Sequence, residues 1–279
     1  MFLADSDPGR FTHSDAHFDI GGQFNVPRSP QGRPVIFQAG DSDEGREFAA
    51  SSADAIFSRH GTLEEGQKFY ADVKGRLARY GRTPDQLLIL PAATFVLGDT
   101  DADAAEIARE VRFQQVSGQT AIMFAEQLWN RDLSGWDPDG PLPDVDPLTG
   151  ENTISRARAS VRMYRDPLAV ATQWRALAQE KNLSLREVVI EVTGRQTFVG
   201  SAATVAEEIN QLVQADASDG FILVPHITPG GLDEFADTVV PLLQERGVFR
   251  TEYEGTTLRS HLGLDPLPAG QAGDQAVAI

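Results

Sequence analysis

The residues best suited to chemistry in this sequence sit in one turn, Gly40-Asp41-Ser42-Asp43-Glu44-Gly45. Gly40 permits a sharp change of chain direction. Ser42 offers a hydroxyl, and a helix starting here aims unpaired backbone N–H groups at the same spot, a combination suited to a phosphate. Gly45 leaves room for close approach. The same residues also suit a plain helix start, because serine caps a helix and acidic side chains complement its dipole. Asp41, Asp43 and Glu44 disfavour an anion, and Arg46 is the one base beside them. Taken alone, the turn reads more readily as a cap than as a phosphate cradle.

Two further groups invite a metal. His13 and His17 are four apart, which would place them on one helix face. The following Phe18-Asp19-Ile20-Gly21-Gly22 does not support a helix, so they read as surface histidines. The aspartates of residues 131–153 lack the regular spacing and closing glutamate of a calcium loop. The chain has no cysteine, which excludes thiolate ligands and disulfides. No metal site is expected, and no catalytic residue is assigned.

The elements around the turn form a βαβ unit. Val35-Ile36-Phe37 is a short apolar strand entered through Pro34. A helix carrying Ala49, Ala50 and Ala53 follows, then a strand over 54–58. The turn therefore lies at the carboxyl end of a strand, where parallel α/β proteins place their ligands. Further strands are expected over 87–97, with an irregular point at Pro91, and over 219–224. Helices are expected from Thr62 to Tyr80, from Asp101 to Trp129, over 166–181, from Ala202 to Ala215 and over 230–246. Ser184 to Val192 suits a short helix or a strand. Residues 131–153 hold four prolines and three glycines, which rule out regular structure and leave a functional flap or a disordered surface loop, the latter favoured. The class is α/β with a parallel sheet. Four strands make either an open sheet or part of a barrel, which takes about 250 residues when complete.

The chain has 279 residues and a net charge of −17. A field of that sign repels nucleic acid and anionic membranes, so neither is expected as a partner. No run is long enough to span a bilayer, and the amino end lacks a basic segment followed by an apolar one. A cytoplasmic location is expected by default.

Several spread-out stretches form one pattern: Asn25 to Pro34, Gln38-Ala39-Gly40-Asp41-Ser42 with Gly45, Ala53 to Phe57, Ile89-Leu90-Pro91 and Val199-Gly200. Asp219-Gly220-Phe221, Val240 to Gly247, Tyr253, Thr257-Leu258-Arg259 and Leu262-Gly263-Leu264 complete it. With these residues the sequence resembles the carboxyl-terminal part of the bacterial-luciferase-like flavin monooxygenases. The nearest branch is typified by nitrilotriacetate monooxygenase component A and the dibenzothiophene-sulfone monooxygenases. The resemblance implies a luciferase-like TIM (β/α)8 barrel that uses reduced FMN from a separate flavin reductase, together with dioxygen, to oxygenate a small organic substrate. It places the FMN phosphate on Ser42, with Gly40, Asp41 and Gly45 shaping the loop. For a complete barrel it reverses the preference for a plain cap.

Family members are longer at the amino end. The resemblance therefore implies only the second half of the barrel, strands 5–8, from a chain truncated before the residues that contact the flavin ring and do the chemistry. The expected layout is a polar connector over 1–33, a partial barrel over 34–264 with an acidic insertion at 131–165, and a disordered tail over 265–279. The alternative is a non-catalytic half that buries its open face in a homo-oligomer. An unrelated α/β binding module fits the long motif series least well.

Overall fold

A computed structural model describes residues 10–24, 29–150, 164, 166–193 and 197–267. Residues 25–28 of the motif series, residues 151–153 of the proline-rich segment and the tail beyond 267 lie outside the described residues. The chain divides into two units. The first holds Met1–Ala93, Ala206–Val224 and Leu232–Ile279; the second holds Thr94–Val205 and Pro225–Gly231.

In the first unit, strand β1 (Arg10–Ser14) pairs antiparallel with β2 (Asp19–Gln23), with His13 opposite Ile20. The stretch read as a connector thus contains a hairpin. Asp15 forms its turn: Oδ1 accepts the N–H groups of His17 and Phe18, each at 2.7 Å, and Oδ2 meets His13 Nε2 at 2.8 Å. Those contacts lower the Asp15 carboxyl to about 2. His13 therefore serves a turn, as the strand context of the two histidines requires.

Three of the remaining strands of this unit pair in parallel. Strand β3 (Phe37–Ala39) pairs with β4 (Ala55–Ser58), which pairs with β5 (Leu88–Leu97), and β7 (Ile222–Val224) also pairs with β5. Pro91 stands opposite Ser58, the last residue of β4, so its missing N–H falls where that ladder ends. Helix α1 (Asp43–Ser52) follows β3, and α2 (Leu63–Arg76) follows β4. Ala49, Ala50 and Ala53 are buried, and such small side chains let α1 lie close to the sheet. They meet Ile56, Phe69, Val73, Leu77, Leu87 and Ile89 in one core. Helix α1 carries no base in its last turn, and Arg82 supplies one from elsewhere, donating to the carbonyls of Ala50 (2.8 Å) and Ala53 (2.6 Å).

In the second unit the helix expected from Asp101 to Trp129 is two: α3 (Asp101–Gln115) and α4 (Gly118–Trp129). Val116 leaves helical conformation, and Ser117 caps the new helix by accepting the Thr120 N–H. Both pieces bury alanines, Ala104 and Ala108 in α3 and Ala121 and Ala125 in α4, so the same apolar pattern resumes beyond the break. Helix α5 (Pro167–Lys181) follows, and the ambiguous stretch is helix α6 (Leu185–Thr193). A further parallel strand, β6 (Phe198–Gly200), pairs with Phe95–Leu97 of β5, so that among the described residues the sheet has five strands where four were expected. Helix α7 (Ala202–Gln214) begins in this unit and lies mostly in the first, to which α8 (Asp233–Glu245) and α9 (Leu258–His261), after β7, also belong.

Residues 131–150 are irregular but held, which corrects the disordered reading for this part. Trp129 Nε1 donates to the Val145 carbonyl at 2.7 Å, and Leu133 N–H donates to the buried Glu126 carboxylate at 3.0 Å. Arg175 donates to the Pro143 and Val145 carbonyls. Leu133 joins Trp129, Trp174, Leu185 and Val188 in the core.

Candidate functional site

Ser42 follows β3 and is the N-cap of α1. Its backbone is extended, its Oγ accepts the Gly45 N–H at 3.1 Å, and its carbonyl takes the first helical bond, from Arg46 N–H, at 2.9 Å. The hydroxyl hydrogen is not used by that cap and can still be donated. The N–H groups of Asp43 and Glu44 precede the first helical bond and have no partner among the described residues. Cap and anion site are therefore compatible in one geometry.

The two glycines touch. A Cβ on Gly45 would lie 2.9 Å from the Gly40 oxygen and 3.0 Å from its carbonyl carbon. On Gly40 a Cβ would meet Gly45 Cα at 3.3 Å and the Gln38 Nε2 at 3.1 Å. The turn is tight because both side chains are absent. Ser42 and the acidic residues beside it remain exposed at its tip. All four residues expected at this site, Gly40, Asp41, Ser42 and Gly45, lie in this one turn.

The sequence did not reveal what holds the turn. Arg46 Nε donates to the Asp41 carbonyl at 3.0 Å, and its Nη1 pairs with Asp72 of α2 at 2.9 Å. Its guanidinium sits 4.7 Å from the centre of the Phe69 ring. Arg76 grips the same Asp72 and also Asp43 and Glu47. Burial pushes the Asp72 carboxyl up, but the bonds from Arg76 and Arg46 outweigh it and leave the group below its ordinary value. On the other side of Phe69's neighbourhood, His60 lies 5.6 Å away ring to ring, and burial lowers its pKa.

Three motif fragments meet at the opposite, amino end of the strands. Asp54, buried just before β4, accepts from Arg33 at 2.7 and 3.1 Å and from the Ile36 N–H at 2.9 Å. Arg259 Nη1 lies 2.9 Å from Asp54 Oδ1 in an ionic contact without hydrogen-bond geometry. Burial raises the Asp54 carboxyl, yet these partners together hold it below its usual value. Asp219, before β7, accepts from Tyr70 Oη (3.0 Å) and the Ile89 N–H (2.7 Å) and pairs with Lys74. Asp54 and Asp219 thus tie elements of the unit together and, unlike Asp41, take no part in the turn.

Residues 7–219 match the family described as luciferase-like monooxygenase. The chain belongs to this family. It is 38% identical over 260 residues to nitrilotriacetate monooxygenase component A of Aminobacter aminovorans, covering 90% of this chain and 53% of that protein. It is 36% identical over 256 residues to N-acetyl-S-(2-succino)cysteine monooxygenase of Bacillus subtilis, covering 91% of this chain and 55% of that one. Among solved structures it is similar to a riboflavin lyase holding modified FMN and riboflavin, with a TM-score of 0.63, 27% identity, and coverage of 92% of this chain and 53% of the other. The chain spans about half the length of these proteins. The fold class is that of the luciferase-like TIM barrel, and the parallel β/α order of the strands agrees with it. Among the described residues no group of histidines and carboxylates could hold a metal.

Proposed function

We propose that this chain supplies the phosphate end of the flavin site in a flavin-dependent monooxygenase. The enzyme takes reduced FMN from a separate reductase and uses dioxygen to oxygenate a small organic substrate. The observation that carries the reading is the Gly40–Gly45 contact, which leaves the Ser42 hydroxyl and the Asp43 and Glu44 N–H groups open at the carboxyl end of a parallel strand. Family membership and the flavin in the riboflavin lyase support it. Reduced FMN supplies the electrons that activate dioxygen. Ser42 would donate its hydroxyl hydrogen to a phosphate oxygen, and the two N–H groups would orient the same phosphate.

The proposed setting is cytoplasmic, beside the reductase. No described helix is long and apolar enough to cross a membrane. The proposal includes self-association. Only one edge of β3 is paired among the described strands, and Ile36 just before it and Phe37 within it are 40% and 46% exposed. A second reading, a non-catalytic remnant that self-associates, draws on that same edge.

Titration with FMN, followed by flavin fluorescence, tests the reading for the wild-type chain and for Ser42→Ala. The proposal expects the variant to bind FMN about tenfold more weakly, the loss of roughly one hydrogen bond to a charged group. Equal and negligible affinities in both proteins would remove its support.

A further inference from the structure

We propose that Arg46 is a positioning residue: it braces the phosphate turn from behind and does not meet the anion itself. The inference rests on the flavin-phosphate reading above. Arg46 follows Gly45 directly and is the first cation after the turn, so proximity alone would make it a phosphate ligand. Its contacts point elsewhere. Nε is spent on the Asp41 carbonyl, Nη1 on Asp72, and one face of the guanidinium covers Phe69.

Asp72 connects this brace to a second one. Its Oδ1 takes Arg76 Nε at 3.0 Å, and Arg76 continues to the Asp43 carbonyl at 3.1 Å, to the Asp43 carboxylate and to Glu47. Ser42 therefore stands between two residues, Asp41 and Asp43, each tied to an arginine that is anchored on Asp72 of α2. Arginine is suited to this work because its planar fork fixes direction as well as charge. The second brace also offsets the Asp43 charge at the place where an anion would arrive. The clamp thus addresses both objections to this turn as a phosphate site: its acidity and its lack of a free base.

The clamp makes a prediction opposite in sign to simple electrostatics. Asp72→Asn removes a negative charge near the turn, which by charge alone should strengthen anion binding. If Arg46 were a phosphate ligand restrained by Asp72, freeing it should strengthen binding as well. The positioning role requires the reverse, because the anchor of both arginines is lost. Arg46→Lys keeps the charge and loses the fork.

The experiment measures the affinity of FMN and of riboflavin, which lacks the phosphate, for the wild-type chain, Asp72→Asn and Arg46→Lys. The expected result is that both variants bind FMN about tenfold more weakly, the scale of one lost hydrogen bond, with riboflavin affinity unchanged. Melting temperatures unchanged in both variants report that the fold survives. Tighter or unchanged FMN binding by Asp72→Asn, or full FMN affinity in Arg46→Lys, overturns the positioning role. A matching fall in melting temperature in both variants also overturns it, because the clamp would then support the fold at large. Absence of any preference for FMN over riboflavin in the wild-type chain defeats the phosphate reading itself and this inference with it.

Discussion

At Ser42, one side chain caps α1 and is proposed to meet a phosphate, two purposes that substitution can separate. Aspartate caps a helix as well as serine does. Ser42→Asp is therefore expected to leave the melting temperature within a degree or two of wild type, on the order of the scatter for capping equivalents, while FMN affinity falls about tenfold or more through like-charge repulsion. Thermal denaturation and FMN titration on the same sample check both halves. The glycines should differ in their sensitivity. Gly45→Ala places a methyl against the Gly40 backbone, which cannot swing aside, whereas Gly40→Ala meets a flexible Gln38 amide and a more distant Gly45 Cα. Gly45→Ala is expected to destabilise by about 1–3 kcal/mol, as overpacking does, and Gly40→Ala by less; urea denaturation ranks them. The types of these residues were legible in the sequence, although alone they read more readily as a helix cap than as a phosphate cradle. Arg46's bond to Asp41 was not, since a base after a helix start can point in any direction until the partner helix is placed.

Among the elements, the strands β3, β4, β5 and β7 could be read from short apolar runs bounded by turn residues. Strand β6 could not. It is three residues long, and Phe198-Val199-Gly200 reads equally as the approach to α7. The division between α3 and α4 was marked only by Ser117-Gly118, and an alanine stripe that resumes at Ala121 masked it. The ties between elements were the least legible, because Asp54 meets residues 21 positions before it and far after it in Arg33 and Arg259. That tie makes a pH prediction. The folded-state pKa of Asp54 lies below the unfolded value of about 3.9. Its contribution is therefore complete above that unfolded value and is lost as pH falls through the folded one. Asp54→Asn is expected to cost about 3 kcal/mol at pH 7, as breaking a buried pair does, and to flatten stability below pH ~4. Denaturation at pH 7 and pH 3 measures the difference. The 131–150 segment offers a second test. Arg175→Met removes the donors to Pro143 and Val145, so limited proteolysis should cut within this segment faster than in the wild type.

For the molecule as a whole, sequence and structure agree on the class: a run of β/α units with a parallel sheet, in which the Gly40–Gly45 turn stands at a strand's carboxyl end. The acidic surface fits a partner that is neither nucleic acid nor an anionic membrane. The unpaired edge of β3 makes self-association an expected outcome of light scattering, and a well-folded, strictly monomeric chain would contradict it. The central claim is narrower, namely that the Gly40–Gly45 turn receives a phosphate. Comparing the affinity of the wild-type chain for FMN and for riboflavin tests it most directly. The account predicts that FMN binds at least about tenfold more tightly, as expected for charge-assisted bonds to one phosphate. Equal affinities for the two flavins would contradict it.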